Sequence, residues 1–233
     1  DALVLDVKWG SGAFMKTLEQ ARELAESLVR IGNAIGPKTT AMITDMNQPL
    51  GRMIGNAVEI DGSVAVLKGD GPADVTELTL RLGSQLLVSA GASDSEAAAR
   101  QHLLATIDNG EALERLRQMV KSQGGDLDAP RHVANSHAVT ATESGFLHRV
   151  NAERLGQAVI EMGGGRRKLG DALDHSTGVE FLVRIGDRIE SGQVLANVFC
   201  DSPAAGYACE LVGAAVGIGP DEVGPPELIV ETL

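Results

Sequence analysis

An apolar run near the start of the chain constrains the fold more than any other feature. Ala2–Leu5 and Val7 form an almost continuous apolar segment, which ends at the glycine turn Gly10–Gly12. Such a segment is typical of a strand buried on both faces of a parallel sheet, and it requires neighbouring strands and covering helices. The sequence therefore predicts an open α/β sheet, and we expect part of the protein to precede Asp1.

A helix and a second strand follow in the order of a right-handed crossover. Thr17 is a suitable N-cap, and apolar residues recur at three- and four-residue spacing from Leu18 to Ile31. The segment Thr39–Met46 has the Thr, Ile and Met content of a buried strand. Strand, helix and strand in this order predict a parallel pair. Open α/β sheets bind ligands beyond the carboxyl ends of such strands.

The predicted secondary structure of the remaining chain changes once, from helices to mainly strands. Helices are predicted at Val75–Ser89, from a capping box at Ser93 and Glu96 to about Asn109, and at Glu111–Lys121. Glycine, aspartate and proline then break the pattern between 123 and 135. Beyond them, alternating strands and a short helix lead to a strand–turn–strand segment that resembles the hammerhead of biotinyl and lipoyl carrier domains, although no lysine lies at a hairpin tip.

We therefore expect two domains of different fold class. Residues 1–130 form an α/β domain with a partial parallel sheet flanked by helices. Residues 131–233 form a smaller α+β, hammerhead-like C-terminal domain.

Charge and cysteine content narrow the functional classes. The formal net charge of -12 argues against a nucleic-acid interface, which relies on clustered Lys and Arg. Arg166–Lys168 is the one basic run, and both a solvated turn and an anion-binding segment remain open for it. The two cysteines form no disulfide framework, and nothing resembles a secretory signal or a membrane span. These features predict a soluble cytoplasmic protein that binds neither nucleic acid nor membrane.

Three long segments, in this order, resemble the bacterial thymidine and pyrimidine-nucleoside phosphorylases: DVKWGSGAFM, TTAMITDMNQPLGRMIGNAVEI and AVIEMGGGRRKLGDALDHSTG. The resemblance covers essentially the whole chain. It implies a glycosyltransferase of the pentosyltransferase class, active in pyrimidine metabolism and nucleoside salvage. Inorganic phosphate, the co-substrate, would attack the anomeric carbon of thymidine or uridine and release the free base and a pentose 1-phosphate. The resemblance also implies a cytoplasmic homodimer that requires no cofactor.

The resemblance assigns few functional residues to this chain. The family's phosphate loop and base-binding Arg, Ser and Lys would lie upstream of Asp1, so we expect no catalytic residue here and an inactive isolated chain. Phe14 matches an apolar residue that lines the base pocket, with a place in the core as the equal alternative. Lys8 and Ser11 match the loop that shapes the same cleft.

A potassium ion is also implied by the resemblance. Backbone carbonyls that match Leu50 and Met53 hold it in part, but a glutamate ligand of the family matches Gly62. Asp61 and Glu59 are near, although a strand through these residues would point Asp61 to the opposite face from its neighbours. We therefore expect weak potassium binding.

The competing prediction belongs to a different class of protein. A short homologue could keep the scaffold and act as a non-catalytic ligand-binding or regulatory module. Gly62 and the acidic tail GPDEVGPPELIVETL favour this alternative slightly.

Overall fold

The structure is a computed structural model that describes residues 1–233 and contains seven helices and ten strands. The helices are α1 Leu18–Ile35, α2 Ala57–Leu67, α3 Ala73–Ser89, α4 Glu96–Asp108, α5 Glu111–Ser122, α6 Ala152–Glu161 and α7 Ala205–Ala214. The strands are β1 Ala2–Trp9, β2 Lys38–Asp45, β3 Met53–Gly55, β4 Ser136–Thr140, β5 Gly145–Val150, β6 Gly178–Phe181, β7 Arg188–Ile189, β8 Val194–Phe199, β9 Val216–Gly219 and β10 Ile229–Thr232.

The first sheet contains the predicted parallel pair. Strands β1 and β2 run in register along their full lengths, and α1 packs against both. The Thr17 side chain accepts a hydrogen bond from the Gln20 amide, and the Gln20 side chain completes a capping box. Five buried apolar residues form the core between the sheet and α1: Val7, Ala21, Ala25, Ala41 and Ile43.

The third strand of the first sheet comes from the end of the sequence. Strand β10 pairs antiparallel with β2, so the strand order is β1–β2–β10. Glu231 of β10 also accepts a hydrogen bond from Arg22 of α1, at 2.9 Å. The end of the acidic tail, Ile229–Thr232, is therefore a structural strand of the first sheet. The outer edge of β1 pairs with no other strand of this chain.

Two antiparallel sheets and two helices form the C-terminal core. The sheets have the orders β3–β6–β8–β4 and β7–β5–β9, and α6 packs against α7. This core contains 19 buried residues, of which Phe181, Leu147 and Leu155 are the largest apolar side chains that are completely inaccessible. The predicted fold class, an α/β part followed by an α+β part, is confirmed. The predicted domain limits, 1–130 and 131–233, stay a prediction. Strand β10 comes from the second range but lies in the first sheet.

Two local predictions were wrong. Residues 57–67 form helix α2 rather than continuing as a strand, because apolar β-branched runs fit both structures and Gly55, at φ +140°, reverses the chain after β3. The N-cap of α4 is Ser95, whose side chain accepts a hydrogen bond from Ala98 N. Ser93 instead donates its hydroxyl proton to Ser95 O.

The basic run Arg166–Lys168 forms a turn around a carboxylate of the chain. Asp171 accepts hydrogen bonds from the backbone amides of Arg167 and Lys168, and the Arg167 guanidinium pairs with Glu161. The structure favours the solvated-turn interpretation of this run. None of the seven helices is long and apolar enough to cross a membrane.

Candidate functional site

A cleft runs along the free edge of β1, between the Gly10–Lys16 turn and α1. It has a volume of about 580 Å³, and its lining includes Lys8, Phe14, Met46 and the α1 residue Leu24. Phe14 is 97% exposed, so it is not a core residue. A fully exposed aromatic ring beside an apolar cleft is available to stack on a planar ligand.

Glycines give the turn its shape. Gly10 has φ +116°, a conformation that L side chains rarely adopt, and a Cβ atom there would lie 2.6 Å from Asn47. At Gly12, a Cβ atom would lie 2.8 Å from the Ala152 Cβ at the start of α6. Gly12 N donates to Met46 O at 2.9 Å. The turn is therefore packed between the end of β2 and the C-terminal core.

Ser11 fastens this turn to the C-terminal core. Its hydroxyl donates to Val150 O at 3.0 Å and accepts from Ala152 N at 3.1 Å. Its backbone amide donates to the Asn47 side chain at 3.1 Å. Ser11 does not line the cleft. Its hydroxyl holds the loop in place, and the structure brings only Lys8 and Phe14 together at the cleft.

Lys8 is held by a polar cluster on one face of the first sheet. Its ammonium group donates to Asp6 at 2.7 Å and to Thr44 at 2.8 Å. Thr44 is completely buried and donates to the second oxygen of Asp6. Because an ammonium group has three N–H donors, Lys8 keeps one for a ligand while Asp6 balances its charge.

Asp45 and Asn47 lie at the end of β2 and support the glycine turn without lining the cleft, and the sequence analysis missed them. Asp45 is 5% exposed at the carboxyl end of β2, and its carboxylate accepts a hydrogen bond from Asn47 at 2.6 Å. Burial raises the pKa of Asp45 above its usual value, although the Asn47 hydrogen bond opposes the shift. Their position beyond a parallel strand was the signal that could have identified them.

Leu50 and Met53 lie on the segment between β2 and α2, away from the cleft lining. Arg52 O accepts a hydrogen bond from Phe181 N at 2.7 Å, and Met53 is paired with Glu180. In an antiparallel ladder, hydrogen-bonded and non-hydrogen-bonded pairs alternate, so the Met53 carbonyl points away from β6. The neighbouring carbonyls of Pro49 and Gly51 accept hydrogen bonds from Arg184.

Helix α2 places position 62 beside Met53. A Cβ atom on Gly62 would lie 3.5 Å from the Met53 side chain. Asp61 forms an ion pair with Arg131 at 2.6 Å, and the strand argument used for its orientation was wrong because this segment is helical. Partial desolvation raises the pKa of Glu59, against a hydrogen bond from the Gly55 backbone. No cluster of three His, Cys, Asp or Glu side chains suited to a metal ion is present.

Comparison with known families matches both parts of the chain. Residues 1–113 match the glycosyl transferase family a/b domain, and residues 146–219 match the pyrimidine nucleoside phosphorylase C-terminal domain. Relatives named pyrimidine-nucleoside phosphorylase in Staphylococcus aureus strains bovine RF122 / ET3-1 and USA300 are each 41% identical over 235 aligned residues. The alignments cover 98% of this chain and 54% of each relative. The chain thus spans about half the length of the curated relatives that it matches.

Proposed function

Because this chain belongs to the pyrimidine-nucleoside phosphorylase family, we propose that it forms one wall of the nucleoside cleft in such an enzyme. The whole protein is then a pentosyltransferase that converts thymidine or uridine and phosphate to a free base and a pentose 1-phosphate. The observation that carries the proposal is the exposed Phe14 ring beside Lys8, in a cleft next to the carboxyl end of β1. Both residues lie in the part that matches the glycosyl transferase domain.

The proposed reaction determines the roles of the cleft residues. Phosphate oxygen forms a bond to the anomeric carbon, the glycosidic C–N bond breaks, and the base leaves with the electron pair and takes up a proton. Phe14 would hold the planar base by stacking, and the free N–H of Lys8 would donate to an oxygen of the ligand. We propose that the groups that bind phosphate and stabilise the departing base lie in the part of the longer relatives that this chain does not match.

The potassium ion stays a prediction with a weak donor set. Leu50 and Met53 would offer two neutral backbone carbonyls, and Gly62 brings no carboxylate beside Met53. Hard cations in proteins take several oxygen ligands, commonly including carboxylates. These residues do not suffice for the ion, and no step of the reaction is assigned to it.

Assembly and location complete the proposal. A homodimer in the cytoplasm would agree with the family, and the unpaired edge of β1 offers a surface for further chain of the same protein. Nucleoside and phosphate are the partners of the proposed enzyme.

The test separates binding from turnover. Titration of the purified 233-residue chain with uridine should change the emission of Trp9, the single tryptophan, which borders the Gly10 turn. Phe14→Ala should abolish the change. Leu169→Ala is the matched control, because Leu169 is 98% exposed and does not line the cleft.

Turnover is measured on the same samples. With phosphate and thymidine or uridine, the chain should release no free base. Base release would show that this chain already contains the catalytic groups. An unchanged response of the Phe14 variant would remove the cleft from the proposal.

A further inference from the structure

Arg184, from the C-terminal core, binds the segment that follows β2. Its guanidinium donates to Pro49 O and Gly51 O, each at 2.5 Å, and to the Asp74 carboxylate at 3.0 Å. The same carboxylate oxygen accepts the Gly51 amide proton at 2.9 Å. The Arg184 side chain is 26% exposed, so these bonds are shielded from water on most sides.

The bonds fix a segment that has little freedom of its own. Gly51 is buried at φ +69°, and a Cβ atom there would lie 2.8 Å from Val75. On either side of it, Gln48 accepts a hydrogen bond from Ile185 N at 3.0 Å and Arg52 O accepts one from Phe181 N. Residues 48–52 are therefore held from the C-terminal core, with Arg184 at the centre.

One guanidinium satisfies three acceptors at this contact. Its Nη1 donates to Pro49 O, and its Nη2 donates to Gly51 O and to the Asp74 carboxylate, whose charge it balances. The planar guanidinium presents its donors in a fixed fork, which an ammonium group cannot reproduce. A metal ion at this place would have to displace the guanidinium from Pro49 O and Gly51 O.

We infer that Arg184 is the resident cation of the 48–52 segment and a positioning residue for the Phe14 cleft. Its guanidinium, bound to the Pro49 and Gly51 carbonyls on either side of Leu50, holds the segment without a metal ion. The position of the segment affects the cleft through the backbone of Met46. The Met46 amide donates to Trp9 O at 2.7 Å, and the Met46 carbonyl accepts from Gly12 N at 2.9 Å. Loss of the charge should loosen the turn that carries Phe14.

The experiment compares wild-type chain with Arg184→Ala, Arg184→Lys and Arg30→Gln, in potassium chloride and in tetramethylammonium chloride at equal ionic strength. Arg30 is the matched control, because its only hydrogen bond is one of 3.5 Å to Ser27. The readouts are the melting temperature and the emission of Trp9. Each is then repeated with millimolar methylguanidinium, far below denaturing concentrations.

We expect the melting temperature and the Trp9 emission of the wild-type chain to be the same in both salts. Arg184→Ala should melt about 4–8 °C lower, with altered Trp9 emission, since two or more charged hydrogen bonds are lost. Methylguanidinium should restore at least half of that change, and Arg30→Gln should match the wild type throughout. Arg184→Lys, which keeps the charge but not the fork, should fall between wild type and Arg184→Ala.

Contrary results are equally specific. A wild-type chain stabilised by potassium over tetramethylammonium would show that a metal ion serves this segment. An Arg184→Ala chain that behaves as wild type, or that methylguanidinium does not restore, would also overturn the inference. If Arg184→Ala fails to fold, Arg184→Lys provides the test. A melting temperature and Trp9 emission equal to wild type in Arg184→Lys would show that the planar guanidinium is not needed. No readout uses nucleoside or phosphate, so these results stand apart from the proposed function.

Discussion

The C-terminal core and the first sheet are stabilised in different ways. The C-terminal core has 19 buried residues enclosed by two sheets and two helices, whereas the cluster between the first sheet and α1 has five, three of them alanines. Apolar burial is the main favourable term in folding, so a cluster of this size contributes little. The first sheet therefore depends on contacts from elsewhere: β10 at one edge, and Ser11 and Arg184 at the junction with the C-terminal core.

The largest expected difference comes from truncating one buried side chain in each region. Leu155→Ala should cost about 4–5 kcal/mol of unfolding free energy, because a densely enclosed site cannot collapse around the cavity. Ile43→Ala should cost only about 2–3 kcal/mol, because the small cluster around it can relax. Both side chains are completely buried in the wild type. Urea denaturation followed by circular dichroism measures both, and equal costs would contradict the comparison.

Removal of residues 229–233 tests the dependence of the first sheet on β10. The deletion removes the two backbone hydrogen bonds between Leu233 and Ala41, together with the pairing of β10 itself. We expect a loss of about 2–4 kcal/mol, at roughly 1 kcal/mol per bond. Amide exchange in β2 should accelerate while β6 and β8 keep their protection. Glu231→Gln, which removes only the ion pair with Arg22, should leave β2 protected; a uniform loss of protection would show that the two regions unfold together.

Ser11→Ala tests the junction. The substitution leaves Val150 O and Ala152 N without their shared partner, and an unsatisfied polar group in a partly buried place costs about 1–3 kcal/mol. Trp9 emission should change in the native state, because the turn is released from α6. Ser27→Ala, on the outer face of α1, is the control and should change neither quantity. If native Ser11→Ala has the same Trp9 emission as wild type, the packing of Gly10 and Gly12 is sufficient to hold the turn.

The smallest expected effect is a pH dependence at Asp45. Burial raises its folded-state pKa above the usual value of 3.8, so the folded state binds this proton more tightly than the unfolded state. Stability from this group therefore increases as pH falls through the raised pKa, and at neutral pH the ionised carboxylate is a net cost. Asp45→Asn should be more stable than wild type at pH 7 by less than about 1 kcal/mol. The difference should shrink toward pH 4 in urea denaturation; a constant difference would exclude the ionisation as its cause.

Local patterns predicted the strands and helices well where one periodicity dominated. The parallel pair, the Thr17 cap and the alternation of fold class followed from spacing and capping chemistry. Helix α2 was missed because Ala57, Val58 and Ile60 fit a strand equally well, and β10 was missed because its partner lies far away in the sequence.

The site was predicted less completely than the fold. Phe14 and Lys8 could be assigned to a cleft from their segment, but the hydroxyl of Ser11 serves the junction instead. Arg184 carried no sequence signal, since its three acceptors come from two distant segments. Such contacts depend on tertiary packing, which no local pattern records.

The pairing of β10 with β2 has a consequence for synthesis on the ribosome. Arg22 and Glu231, which join α1 to this last strand, are 209 residues apart. Chains emerge from the amino terminus onward, and domains generally fold as units while they do so. Helix α1 and the parallel pair must therefore keep an open edge on β2 until residues 229–232 have emerged, by which point every strand of the C-terminal core has appeared. Folding intermediates with this exposed edge are the stage at which chaperones would matter most.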